Sequence, residues 1–453
     1  MRNSDWKNTN IGFFGNGVRH RLIKRIISPY RTYKNFLAQS QWWSEQHLLD
    51  YQLEHLKATI KSAYRNVPYY RGKMQVYGIK PDDIKSIDFI VKLPILEKED
   101  VRKNYRDMLA VNAFPSVLYK CHTSGSTGKP LTLYRDLNNV GFEHAMLMRQ
   151  WQWAKLGPND RYATLKGEMI PKIKTKNNIF WNFSPIENKL YMSSYHLSER
   201  NVDRYVTALR KYHIKAVEGY PSSLYALAKL MLNKNIKVPM KSALTTSETL
   251  VAKQKAVIEQ AFQCRVFDYY GMAERVAAIH TCEHGRHHLV PEYSLVEFIK
   301  SDSLSNGLYE VVGTTFTNRA MPLIRYRVGD VIKPSNEQCP CGRNYPVIEK
   351  IVGRTDDYII TPSGKLVGRL DHVFKGANNL IEAQIFQPDT NNVVLRIVPD
   401  QFFKQSDADS ILSKLQQRLG EPMHLEIEQL ASIPRTENGK LKSVISDVSG
   451  ILN

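Results

Sequence analysis

After about residue 115, short apolar runs alternate with helical stretches: RYATLK, YHLSERNVDRYVTALRKY, AVEGYPSSLYALAKLMLN, SALTTSETL, AKQKAVIEQAF and RVFDYYG follow one another. Strand and helix in alternation imply βαβ units and a largely parallel sheet. From about residue 290 the period changes to two, in YSLVEFI and GLYEVVGTTF, without intervening helices. That change predicts a β-rich subdomain. A further shift follows GRTDDYIITPSGKLV: VVLRIVP (393–399), a helix around ADSILSKLQQRLG (408–420) and MHLEIEQL (423–430) read as an α+β unit of about 95 residues, enough to stand alone. The expected fold class is α/β, a large N-terminal domain with mixed and parallel sheets flanked by helices, plus a small α+β C-terminal domain. Residues 1–110 are expected to be mainly helical, 111–353 to form the core domain and 354–453 the small one, with IKPDDIKSIDFIVKLPILEKEDVRK marking helix stops around a proline turn.

A chain of 453 residues has room for two or three domains. Its 42% apolar and 24% charged residues exclude a collagen-like, low-complexity or wholly disordered polymer. Charge is the abnormal quantity: 63 Lys+Arg against 44 Asp+Glu leave +19. Such a field favours anionic partners, whether nucleic acid, an anionic membrane surface or small polyanions. Part of the surplus sits in residues 1–40, where Leu22, Ile23, Ile26 and Ile27 alternate with Arg19, Arg21, Lys24 and Arg25 at helical spacing. A basic amphipathic helix of this kind can lie on an anionic membrane or pack its apolar stripe on the main domain. Five cysteines, an odd number at spacings unlike a disulfide framework, suit a reducing cytosol. With neither signal peptide nor spanning segment expected, the predicted location is cytoplasmic, with peripheral contact at the inner membrane face as a further reading of the basic segment.

The segment LYKCHTSGSTGKPLTLYRD, residues 118–136, holds most of the chemistry. Thr123, Ser124, Gly125, Ser126, Thr127, Gly128 and Lys129 combine hydroxyls, glycines and one cation in a run that cannot be regular helix or central strand. Such a loop can wrap a phosphate chain, because glycine lets backbone N–H groups approach, hydroxyls donate, and lysine adds a point charge. It can equally be a polar turn. Pro130 after Lys129 excludes the G-x-x-x-x-G-K-[ST] pattern. A second cluster is metal-like: C-E-H-G-R-H-H at 282–288 and C-P-C at 339–341 bring thiols and imidazoles into two short segments. Cys121 and Cys264 read as small core residues, and His122 as a strand-capping side chain.

TSGSTGKP resembles the phosphate loop of adenylate-forming enzymes, and further motifs of that superfamily follow in order. DYYGMAER (268–275) is similar to its adenine and magnesium motif, YRVGD (326–330) to its ribose motif, GRTDD (353–357) to its interdomain hinge, and PRTENGK (434–440) to the motif that delivers its adenylation lysine. EGYPSSLYALAKL, TTSETL, TNRAMPLIRYRVGD and the C-P-C-G-R at 339–343 resemble the phenylacetate coenzyme A ligase group and its capsular-polysaccharide branch. TPSGKLVGRLDHVFK (361–375) departs from the usual coenzyme A ligase wording, in which a glycine-rich turn follows the hinge.

The resemblance implies ATP and Mg²⁺ as cofactors and a residue-by-residue assignment. Lys440 would engage the α-phosphate and the substrate carboxylate, and Glu274 would hold Mg²⁺, a hard cation suited to carboxylate and phosphate oxygens. Asp330 would accept two ribose hydroxyls. Tyr270, or alternatively Tyr269, would stack on adenine beside Gly271 and Met272, with Ser247 and Glu248 bordering the base. Arg354 would reach ribose or phosphate, and Asp356 would be the pivot as the small domain rotates. Relatives carry a structural zinc, which here implies Cys282, Cys339, Cys341 and one histidine, His288 ahead of His287 and His284 because it lies nearest the following strand.

The function expected from these residues is activation of a carboxylic acid as acyl-adenylate, then transfer to an acceptor amine, hydroxyl or coenzyme A thiol. The branch suggests surface glycan assembly; an aryl or acyl coenzyme A ligase is the alternative. A zinc-containing nucleic-acid-binding protein is the other class, but basic residues spread along the chain and a C-x-C pair outside finger spacing argue against it.

Overall fold

The computed structural model describes residues 29–114, 118–122, 131–166, 178–300, 307–354, 358–363, 366–368, 370–374, 377, 379–436 and 440–448. The basic run 19–28 and the loop 123–130 lie outside them. The first described helix, α1 (Tyr30–Ser40), follows Pro29, and its Leu37 is fully buried against Phe142 and Met146. The described end of the N-terminal segment thus packs on the main body. Next come α2 (Glu45–Asn66), capped by Ser44 whose hydroxyl accepts the His47 N–H at 3.2 Å, α3 (Pro68–Val76), which opens on a proline, and α4 (Lys98–Asn104). Two short 3₁₀ turns separate α3 from α4, as the prolines between residues 80 and 95 require.

A hairpin of β1 (Tyr119–His122) and β2 (Thr132–Arg135) follows, then α5 (Leu137–Trp153), whose N-cap Asp136 accepts the Asn139 N–H at 2.8 Å. The main sheet is built from β3 (Tyr162–Leu165), β4 (Trp181–Ser184), β5 (Lys189–Met192), α6 (Val202–Lys211), β6 (Ala216–Gly219), α7 (Pro221–Asn233), β7 (Ser242–Thr246), α8 (Ala252–Phe262) and β8 (Arg265–Gly271). Its strands β5, β3, β6, β7 and β8 run parallel, as the alternation predicts. Ala163, Leu165, Val217, Ala243 and Val266 point to the face covered by α6, α7 and α8. Ala216, Leu244 and Phe267 point to the other face, packing with Trp153 of α5. Both faces are covered, which is why these strands read as apolar throughout.

The period-2 strands β9 (Ala278–Thr281), β10 (His287–Leu289), β11 (Ser294–Ile299), β12 (Tyr309–Thr315), β13 (Tyr326–Ser335) and β14 (Val347–Arg354) do not make a separate sheet. Antiparallel pairing of β9 with β8 continues the same one, giving twelve strands in the order β11-β12-β13-β14-β10-β9-β8-β7-β6-β3-β5-β4.

Beyond it, β15 (Tyr358–Ile360) pairs with β16 (Leu366–Gly368), and β17 (Leu380–Gln387), β18 (Asn392–Pro399), α9 (Gln405–Leu419), β19 (His424–Gln429) and β20 (Val444–Ser446) form a four-stranded sheet with one helix. Its core of Ile385, Leu395, Ile397, Ile411, Leu415 and Leu419 is its own. No helix among the described residues is long and apolar enough to cross a membrane.

Candidate functional site

The site lies where an open α/β sheet places its ligands, in the crevice outside the carboxyl ends of the parallel strands. β6 ends at Gly219 and leads through Tyr220 into Pro221, the first residue of α7. β7 ends at Thr246, and the exposed Ser247 that follows has φ +71°, a left-handed turn that swings Glu248 back across the strand end. β8 ends in Tyr269, Tyr270 and Gly271. A Cβ at Gly271 would sit 2.3 Å from the Tyr269 hydroxyl, so glycine leaves the room that the Tyr269 ring occupies.

The two candidate adenine-stacking tyrosines part company at this point. Tyr269 turns inward against α5 and donates to Glu143 Oε1 at 2.6 Å. Tyr270 turns the opposite way and donates to Asp330 Oδ2 at 2.7 Å. Tyr270 and Asp330 are therefore one unit. Asp330 sits in β13 directly across the ladder from the backbone of Arg354 in β14. Met272 is partly buried between two core clusters. Glu274 accepts from the hydroxyl of Tyr326, itself fully buried, at 3.0 Å.

The expected phosphate residues Thr123, Ser124, Gly125, Ser126, Thr127, Gly128 and Lys129, and the pivot Asp356, lie outside the described residues. What is described is their frame: His122 and Thr132 face each other across the hairpin, Nδ1 to Oγ1 at 3.3 Å. His122 thus closes the base of the loop.

Lys440 reaches the same sheet edge from the small domain, its Nζ 6.0 Å from the Tyr220 ring centroid. Reciprocal bonds hold its turn: Lys440 N–H donates to Thr436 Oγ1 at 3.1 Å and Thr436 N–H to Lys440 O at 3.0 Å. The turn is fastened to the large domain by Glu248, whose Oε1 accepts the Leu441 N–H and whose Oε2 accepts the Ser222 N–H, both at 3.0 Å. Burial raises the Glu248 carboxyl above its ordinary pKa, against the pull of Ser222, Leu441 and Arg435. Arg435 donates to Ser222 Oγ at 3.2 Å and pairs with Glu382 of β17. Lys229 of α7 meets Asp400 at 3.0 Å, and the Tyr225 hydroxyl donates to Leu380 O at 3.2 Å.

Sequence reasoning missed Glu382 and the fastening roles of Ser222 and Glu248. Nothing periodic marks a residue whose partners are backbone groups in another domain.

Behind Tyr269, Glu143 also accepts from Tyr293 and lies 3.7 Å from Arg275 Nε. Burial would raise its carboxyl, but Arg275 and the two phenols carry it below the usual range. Arg275 in turn donates to Asn139 Oδ1 at 2.7 Å. This network braces β8 against α5.

The metal-like cluster assembles as expected. The ligand atoms of Cys282, His288, Cys339 and Cys341 all lie within 4.8 Å of one another. Cys282 Sγ is 3.6 Å from Cys339 Sγ, and Cys341 Sγ is 3.4 Å from His288 Nε2. A tetrahedron with bonds of about 2.3 Å has edges of roughly 3.8 Å, so the donor set fits a zinc-sized ion. His287 is excluded by strand alternation, since its Nδ1 meets Thr281 Oγ1 at 3.0 Å on the opposite face of β10. Arg343, two residues beyond Cys341, is clamped by both oxygens of Glu283 at 2.9 Å, tying the two halves of the cluster together.

Residues 359–447 match the family model described as the CapK C-terminal domain. The chain is 26% identical over 369 residues to protein CapK of Staphylococcus aureus, covering 79% of this chain and 80% of that one. It is 21% identical over 434 residues to a phenylacetate-coenzyme A ligase of Thermus thermophilus, covering 87% and 95%. Among solved structures it superposes on 2-hydroxyisobutyryl-CoA ligase in the postadenylation state with an acyl-AMP at a TM-score of 0.67 and 19% identity, covering 90% and 93%. The same enzyme in its thioesterification state gives 0.55. The chain thus has the fold of the adenylate-forming superfamily, and its sequence relatives include CapK and the phenylacetate-coenzyme A ligases, as the motifs lead one to expect.

Proposed function

From that place in the adenylate-forming superfamily we propose that the chain is an ATP-dependent acid ligase: a carboxylate attacks the α-phosphate of ATP·Mg²⁺ to give acyl-AMP and pyrophosphate, and the acyl group then passes to an acceptor. The observation that carries this reading is the docking of Lys440 over Tyr220 at the strand edge that also bears the Tyr270–Asp330 pair. A cation there would neutralise charge as the carboxylate oxygen meets the phosphorus, and held in place it needs no reorganisation. The better superposition on the postadenylation state than on the thioesterification state supports a small domain poised for the first half-reaction.

In this reading Tyr270 stacks on adenine with Gly271 and Met272 beside it. Asp330 takes the ribose hydroxyls, Arg354 adds a cation nearby, and Glu274 contributes to Mg²⁺. The run from Thr123 to Lys129 wraps the phosphates and Asp356 is the pivot, with the boundary near residue 353. Ser247 lines the base, while Glu248 holds the Lys440 turn. Zn²⁺ in the Cys282, His288, Cys339 and Cys341 set would be structural, since three thiolates and one imidazole leave it no open position.

Relatives named as coenzyme A ligases support a thiol acceptor. The resemblance to the capsular-polysaccharide branch, with protein CapK among the relatives, favours a role in surface polysaccharide assembly with a sugar amine or hydroxyl as acceptor. The test is pyrophosphate release from ATP with a panel of carboxylic acids, followed by mass spectrometry of products with and without coenzyme A. Release that needs both an acid and Lys440 supports the ligase. Failure of every acid, with Lys440→Ala behaving like the unsubstituted protein, overturns it.

A further inference from the structure

The sheet edge that carries Tyr220 also carries a charged pair for which ATP has no use. Lys166, directly after β3, places its Nζ 2.6 Å from Glu218 Oε1 in β6. Strand alternation decides which face they occupy. Ala163, Leu165 and Val217 point beneath α6, α7 and α8, so Tyr162, Thr164, Lys166 and Glu218 project to the opposite face, towards α5. That helix crosses the face obliquely: Trp151 meets Tyr162 edge-on at 4.6 Å at the start of β3, and Glu143 meets Tyr269 at the end of β8. Thr164 is the register partner of Glu218. The three polar side chains thus stand between α5 and the carboxyl ends of the strands, next to the turn on which Lys440 rests.

These groups do not behave like a surface ion pair. The Lys166 and Glu218 side chains are only 26% and 19% exposed. Thr164 is fully buried, and its hydroxyl has no hydrogen-bond partner among the described residues. An aryl or alkyl chain laid against the Lys166–Glu218 pair would strip water from two charges. An acyl chain bearing hydroxyl or amino groups would replace that water, because an ammonium has three donors, a carboxylate several lone pairs, and a hydroxyl can do both.

We propose that Lys166 and Glu218 set the substrate class, selecting an acid whose acyl chain carries hydroxyl or amino groups over an aryl or alkyl acid. This rests on the ligase reading above and sharpens it. The test compares pyrophosphate release by the full chain with ATP·Mg²⁺ across four acid classes: phenylacetate and other aryl acids, short alkyl acids, sugar acids, and amino acids. Hydroxylated or amino acids are expected to exceed aryl and alkyl acids in kcat/KM by at least about tenfold, their separate arms deciding between the two substituents. The double variant Lys166→Met, Glu218→Leu is expected to lower that ratio by at least about tenfold with unchanged ATP affinity in a direct nucleotide-binding titration. Preference of the unsubstituted protein for aryl or alkyl acids overturns the proposal while leaving the ligase standing. So does a ratio unmoved in a double variant that still binds ATP. Release with no acid of any class overturns the ligase reading, and this inference with it.

Discussion

The Leu441 N–H lies 3.0 Å from Glu248 Oε1, so the residue that follows Lys440 is fastened to the large domain by a single carboxylate. The same carboxylate takes the Ser222 N–H in the first turn of α7, where a helix terminus favours negative charge. Glu248→Ala leaves two amides without acceptors, a loss of about 1–3 kcal/mol each. Pyrophosphate release should fall about 10- to 100-fold, while transfer from a supplied acyl-adenylate should change less than about threefold. Half-reactions measured separately decide this; equal losses in both would mean that Glu248 serves only stability.

Tyr270 and Asp330 form a second pair that a nucleotide would have to engage together. Asp330→Ala removes the carboxylate proposed to take the ribose hydroxyls and takes Asp330 from the Tyr270 hydroxyl, so KM for ATP should rise more than about tenfold. Tyr270→Phe keeps the ring and loses the hydroxyl that bonds Asp330. It should cost no more than about threefold to tenfold, and steady-state kinetics with varied ATP will separate the two.

One bound ion per chain is expected in the Cys282, His288, Cys339 and Cys341 cluster, measurable by metal analysis of the purified protein. Cys339→Ser and strong chelators should remove it and lower the thermal midpoint by several degrees. Residual activity at low temperature should survive, because three thiolates and one imidazole would leave the ion no open position. A metal-free protein with unchanged midpoint would refute the assignment.

Asp268 supplies a pH test. It is buried in β8 and accepts from Thr245 Oγ1 at 2.5 Å, and burial pushes its carboxyl up to about 7 from 3.8. A folded-state pKa above the unfolded one means that ionisation opposes folding. The effect is absent below the unfolded value, grows as pH rises through 4 to 7, and is complete above 7, at up to about 4 kcal/mol. Asp268→Asn keeps an oxygen for Thr245 and cannot ionise. Its thermal midpoint should exceed that of the unsubstituted protein at pH 8, and the gap should narrow towards pH 5.

Much of this site was legible because its motifs are local. Gly271 and Asp330 announce themselves within runs of a few residues, and the thiols of Cys339 and Cys341 within a single turn. The choice of His288 over His287 needed only the alternation of β10, once β10 was known to pair with β9. The predicted β-rich subdomain proved continuous with the parallel sheet, because period-2 patterning reports which face is buried and not which neighbour a strand pairs with. Tyr269 and Tyr270 are adjacent and chemically identical, and only the helix packed on one face of β8 separates an inward brace on Glu143 from a side chain paired with Asp330.

By itself, then, the sequence determined the strand–helix alternation, the order of the chemical motifs and the residue types at each, since these rest on periodicity and on local backbone demands. The tertiary structure decided which of those residues meet. Glu248 reaches Leu441, Lys166 reaches Glu218 and Tyr270 reaches Asp330 across separations of 193, 52 and 60 residues. Such contacts follow from strand order and domain docking, which depend on the whole buried surface and leave no periodic trace along the chain.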